Sequence, residues 1–180
     1  MSKKISFGLS ISEVQNAIKE IKTYQNNLNR KCEELCFRLC QEGIQIARAQ
    51  IGESGFGRYI RLSSEITPQK AGCKVIFYME DTTKIKSEWQ TLDGVKSAEV
   101  SPMLMLEFGS GQKAENPANI EGVGTGTFPG GKHGNEPGWY YMDLEENWHY
   151  STGISPKLPM YYAGKELRER VLTIAKDVFM

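Results

Sequence analysis

His133 and His149 are the chain's only imidazoles, and three carboxylates, Asp143, Glu145 and Glu146, lie between them. Imidazole and carboxylate groups gathered in one place could hold a divalent cation or pass protons to a substrate. A small metal-dependent hydrolase using His133, His149 and these acids is therefore the alternative reading of the chain. The spacing does not favour it. The two histidines have no recognisable ligand spacing, the acidic run beside Asn147 has the composition of a solvated turn, and His149 sits between Trp148 and Tyr150 as an amphipathic strand residue would.

Two glycine patterns point to phosphate and fall short. Gly126-Thr127-Phe128-Pro129-Gly130-Gly131-Lys132 matches the start of a phosphate-binding loop, but His133 stands where the magnesium-binding hydroxyl belongs, and Pro129 removes one cradling amide. Gly122, Gly124 and Gly126 are spaced like part of a dinucleotide fingerprint without the strand and helix that pattern needs. The four cysteines are Cys32, Cys36, Cys40 and Cys73. Three recur every fourth residue within a helical pattern, which stacks them along one flank in poor disulfide geometry. A thiolate metal site is the sharper reading and reduced core or flank residues the plainer one, which implies an intracellular protein. No nucleophile elbow is present. No metal, no cofactor and no catalytic residue is expected.

The elements that would position these groups are legible in part. An amphipathic helix is expected over residues 12–49, with Ser12 and Gln15 as its capping box. Its stripe is Val14, Ile18, Ile21, Leu28, Cys32, Leu35, Leu39 and Ile46. Packing of that stripe on the chain's own sheet is preferred over coiled-coil pairing. Asn26, Asn27 and Gly43 are candidate bends, and Gly52, Gly55 and Gly57 end the helix. A strand pair follows over 59–67 and 73–79, joined by a turn from Pro68 to Gly72. Ile85, Trp89 and Leu92 are spaced four and three apart and suggest a short helix, and Asp93-Gly94 signals a turn. Residues 102–108 read as either helix or strand. Strands are expected at 139–142 and 148–151 around a polar connection, and a final helix over 159–179. Its buried face is Met160, Ala163, Leu167, Val171, Ile174 and Val178.

Of the 180 residues 39% are hydrophobic and 24% charged, with zero formal net charge, ordinary values for a core-forming chain. Basic residues are dispersed, which argues against nucleic acid as a sequence-specific partner. No apolar run approaches a membrane span, and none near the basic N-terminus suits a signal peptide. Half of the 18 glycines fall between Gly109 and Gly138. Such a segment loses much backbone entropy and buries little apolar surface, so residues 110–138 are expected to form an extended flexible loop within a single domain spanning 1–180. Trp139, Tyr140, Tyr141, Trp148, Tyr150, Tyr161 and Tyr162 supply an aromatic concentration suited to a subunit interface.

Two short motifs carry a resemblance. Glu107-Phe108-Gly109-Ser110-Gly111 closes an apolar block, and Pro156-Lys157-Leu158-Pro159-Met160 leads to Ala163 in the last helix. In these motifs and in the order of its elements the chain resembles the tail-completion, or Z-type minor tail, family of the necks of long-tailed bacteriophages and prophages. The resemblance implies an α+β fold in which a long N-terminal and a C-terminal helix pack on a small, mainly antiparallel sheet. It implies a structural virion protein without catalysis, forming a ring of six copies that completes the tail. Its neighbours would be the head-side connector and tail-tube or tail-terminator proteins, with DNA passing through the ring. It would reside in the virion, and in the host cytoplasm during assembly. The candidate interface residues are Glu107, Phe108, Gly109, Gly111, Trp139, Tyr140, Pro156, Pro159 and Met160.

Overall fold

In the computed structural model, residues 8, 10–70, 72–113 and 138–180 are described. Its longest element is α1 (Ile11–Ile51), 41 residues or about 60 Å of helix. Ser10, not Ser12, is its N-cap. The Ser10 hydroxyl accepts from the Glu13 amide while the Glu13 carboxylate accepts from Ser10, which completes the capping box two residues earlier than the sequence suggested. Helix continues through Asn26, Asn27 and Gly43 and stops at Gly52, whose φ of 56° favours glycine. At Gly43 the missing Cβ admits two neighbours, since an added methyl would meet Leu167 at 3.0 Å and Phe77 at 3.3 Å.

A 3-10 turn (Gly55–Tyr59) leads into the hairpin β1 (Ile60–Gln69) and β2 (Gly72–Asp81), paired antiparallel from Ile60↔Asp81 to Gln69↔Gly72. A second hairpin, β3 (Ile85–Thr91) with β4 (Gly94–Val100), replaces the short helix expected around Ile85 and Trp89. Ile85, Ser87 and Trp89 are buried in strict alternation, a period of two that the wider spacing from Ile85 to Leu92 disguised. Leu92 sits fully exposed in the turn before Gly94.

Short helix α2 (Pro102–Phe108) follows, then β5 (Ser110–Gly111), β6 (Trp139–Met142), β7 (Trp148–Ser151), β8 (Gly153–Ile154) and α3 (Pro159–Phe179). The strands form three antiparallel sheets: β1-β2, β4-β3-β6-β7 and β5-β8. The fold class is α+β, as the sequence implied.

The main core gathers Ile51, Phe56, Tyr59, Met79, Ile85, Trp89, Val100, Met105, Leu106 and Trp139. Met105 and Leu106 are both fully buried, each worth about 2–3 kcal/mol of apolar burial. A smaller cluster of Ile46, Ala47 and Ala163 lies where α1, α3 and the first hairpin meet. Helix α3 runs antiparallel to α1. Arg170 bonds Glu42, and the Lys31 ammonium bonds the Val178 carbonyl at 2.9 Å. α3 spans only 21 residues, about 30 Å, and its partners on α1 begin near Lys31. The expectation that the whole α1 stripe packs on the chain's own sheet therefore holds only for its second half. Ile18, Ile21 and Leu28 are exposed among the described residues because hairpin and α3 are both shorter than α1.

Candidate functional site

The two motifs that carry the resemblance lie far apart in sequence and touch in space. Helix α2 begins at Ser101, whose hydroxyl accepts from the Leu104 amide, with Pro102 in the first turn. It is tied to β2 by the Met103 amide donating to Asp81 at 2.8 Å. On its last turn Glu107 projects onto the start of α3. That start lacks a cap of its own, because Leu158 occupies the N-cap position in the left-handed region (φ 52°) without a side-chain acceptor. The Glu107 carboxylate accepts from the Met160 and Tyr161 amides, both at 3.0 Å. The Leu106 carbonyl accepts from the Lys157 amide at 2.7 Å and from the Leu158 amide at 3.3 Å. Burial pushes the Glu107 carboxyl above its ordinary range, and the two amides pull it partly back.

Gly109 and Gly111 have φ of 76° and 58°, so the turn out of α2 calls for glycine at both. Gly111 then pairs with Gly153 so closely that a Cβ on Gly153 would collide with the Ser110 carbonyl oxygen. Of the candidate interface residues, Glu107, Gly109, Gly111, Pro156, Pro159 and Met160 are thus in or beside one clasp. Pro159 is buried and Met160 packs on the main core, so both hold the clasp together from inside. Phe108 is half-buried. Trp139 is buried in the main core, and Tyr140 faces the other way, exposed and tilted against Tyr150 at 5.2 Å. The Ser110 hydroxyl and the Trp139 indole N–H are buried without hydrogen-bond partners among the described residues.

A second site forms around His149. The β6–β7 connection turns on Asp143, whose side chain is 7% exposed. It accepts from the Glu145 and Asn147 amides at 2.9 Å each and from His149 Nε2 at 2.7 Å. The His149 bond, with the Asn147 and Glu145 donors, holds the Asp143 carboxyl well below its usual range against the opposing effect of desolvation. A carboxylate can only accept, so Nε2 carries a proton and neutral His149 keeps Nδ1 as its lone-pair nitrogen. The imidazole stacks on Tyr141 at 5.2 Å. Opposite, Arg58 lies over the buried Tyr59 ring, donates to its hydroxyl at 3.0 Å and pairs with Glu145 at 3.4 Å. Between these groups is a cleft of about 310 Å³ floored by Phe56 and Tyr141.

The structure therefore joins His149 to Asp143, sets Glu145 on Arg58, and places Glu146 at a positive φ in the turn. His133, Lys132 and the glycine patterns at 122–132 lie outside the described residues, as does most of the loop expected at 110–138. Among the described residues no group of three His, Cys, Asp or Glu side chains is arranged to hold a metal. Sequence reasoning missed Arg58 and Tyr59 as a wall of this cleft. It also missed Glu107 as the cap of α3, for which one signal existed: no Ser, Thr, Asp or Asn precedes Pro159.

Comparison of the chain with protein-family models, curated proteins and solved structures finds no match.

Proposed function

We propose that this protein is a structural component of a tailed-phage or prophage neck, a tail-completion protein that closes into a ring and joins the tail to the head-side connector. The observation that carries the reading is the clasp. The two short motifs that carry the resemblance, 107–111 and 156–163, form one unit in which Glu107 caps the helix opened by Pro159. A shared motif pair is expected to be a spatial unit, and two unrelated chance matches are not.

Two further features support assembly. The first half of α1 presents Ile18, Ile21, Tyr24 and Leu28 to solvent, an apolar stripe of the kind that marks contact surfaces. The buried, unpartnered Ser110 and Trp139 groups stand at the two roots of residues 112–138. A ring needs heterologous contacts that close by rotation, and the exposed stripe of α1 offers one surface for them.

The test is a joining assay with purified heads and tails. The full chain restores joining and forms six-membered rings by electron microscopy. The protein lacking residues 112–138 stays folded and does not join. Efficient joining by that deletion protein removes the segment from the mechanism, and a strictly monomeric full chain that leaves joining unrestored removes the neck reading. The Asp143–His149 pair favours a second reading, acid–base chemistry in a small hydrolase. A stoichiometric metal in purified protein that is lost in His149→Ala would support it.

A further inference from the structure

Cys32, Cys36 and Cys40 lie on α1, and Cys73 lies at the start of β2, at the tip of the β1–β2 hairpin. On α1, Cys36 and Gly43 are two turns apart on one flank, about 10 Å along the axis. On β2, Cys73 and Phe77 share one face, about 13 Å apart. Phe77 packs at Gly43. Pro68, the β1 partner of Cys73, lies against Glu33, Glu34 and Phe37. β2 and α1 therefore run in the same direction there, and this register carries Cys73 to Cys36. Cys36 is buried, whereas Cys73 is partly exposed on the hairpin end. Cys40, one turn further along α1, is buried.

We propose that Cys36 and Cys73 are a reversible oxidation site, forming a disulfide that locks the hairpin tip onto α1 when the protein meets a peroxide. The accessible Cys73 thiolate attacks one oxygen of hydrogen peroxide. The O–O bond breaks, Cys73 becomes a sulfenic acid, and the departing hydroxide takes a proton to leave as water. The Cys36 sulfur then attacks the Cys73 sulfur. An S–S bond forms, the S–O bond breaks, and hydroxide leaves with the Cys36 proton as the second water. In sum two thiols lose two electrons and two protons, and one peroxide is reduced to two waters.

Environment sets the order of these steps. Burial, then the hydrogen bond and the charge of Cys73, push the Cys36 thiol up to about 12, so Cys36 does not react first. Cys32, Cys36 and Cys40 point side by side from one helix and are poorly placed to link with each other.

The experiment treats the purified full-length protein with hydrogen peroxide and compares it with a dithiothreitol-reduced sample by intact-mass and peptide mass spectrometry. The monomer should lose the mass of two hydrogens, and tryptic peptide 32–38 should be linked to 71–74. Peptide 32–38 also contains Cys32. The link should therefore persist in Cys32→Ser and vanish in Cys73→Ser. The oxidised protein should melt roughly 5–10 °C higher than the reduced one, since the bond closes a loop of about 38 residues. A link through Cys32 or Cys40, a Cys73–Cys73 dimer, overoxidised Cys73 with no link, or a stoichiometric metal lost in Cys73→Ser would each overturn the proposal.

Discussion

The carboxylate of Glu107 caps the helix that begins beside Met160, accepting the Met160 amide at 3.0 Å across a sequence gap of more than fifty residues. That one side chain takes the place of the local N-cap that Leu158 cannot provide, and it does so for the Tyr161 amide as well.

Glu107→Ala should lower stability by about 1–2 kcal/mol, since two amides at the start of α3 lose their acceptor. Glu107→Gln should cost less, because one acceptor oxygen remains. The pH dependence has a definite sign. The folded carboxyl titrates above its ordinary value near 4.5, so its contribution is fully present below that value and is lost as pH rises through the raised folded one. Denaturant titrations from pH 3 to 7 should therefore show the wild type losing ground to Glu107→Gln as pH rises across that window. A gap that is flat with pH would contradict the raised folded carboxyl, meaning that the two capping amides offset burial in full.

Asp143 should behave in the opposite sense. Its folded carboxyl is held below the ordinary 3.8, so its contribution is present above that value and disappears as pH falls through the lower folded one. Asp143→Asn should melt below the wild type at pH 7, and the two should converge in strong acid. Imidazole chemical shifts in Asp143→Asn should report release of His149 from its fixed tautomer.

Ser110→Ala should be neutral or stabilising by up to about 1 kcal/mol, because the hydroxyl is fully buried without a partner among the described residues and its removal ends an uncompensated desolvation. A loss of more than about 1 kcal/mol would mean that the hydroxyl is satisfied in solution.

Gly153→Ala should cost several kcal/mol, on the order of 3 or more, from a φ of 121° together with the collision of the new methyl with the Ser110 carbonyl. Gly55→Ala, with nothing within 4 Å of the added methyl, is the control and should change stability little.

How much of this was legible in the residues depended on the range of the interaction that decides each element. Helix α3 was read from Pro159 to Phe179 because a proline start and a regular apolar stripe are both local. The β1–β2 turn was read from Pro68 and Gly72 for the same reason. Strand β3 was misread because Ile85, Trp89 and Leu92 fit a helical spacing, while burial of Ser87 between two apolar residues depends on which sheet it joins. The cap by Glu107 and the cleft that Arg58 and Tyr59 share with Asp143 and His149 join residues distant in sequence. Local periodicity holds no trace of them. Of the candidate interface residues, the motif glycines were found as a pattern, but the physical need for Gly109 and Gly111 emerges only with their positive φ.

Gly111 pairs with Gly153, and Trp139 pairs with Ser151, only two residues away. The chain therefore departs for residue 112 and comes back after residue 138 at nearly the same spot. Doubling the length of such a detour adds only about 0.6 kcal/mol of closure entropy. Residues 112–138 can thus be read as an exchangeable cassette on a fixed socket. A foreign sequence of different length, inserted there, should leave the socket's thermal unfolding almost untouched.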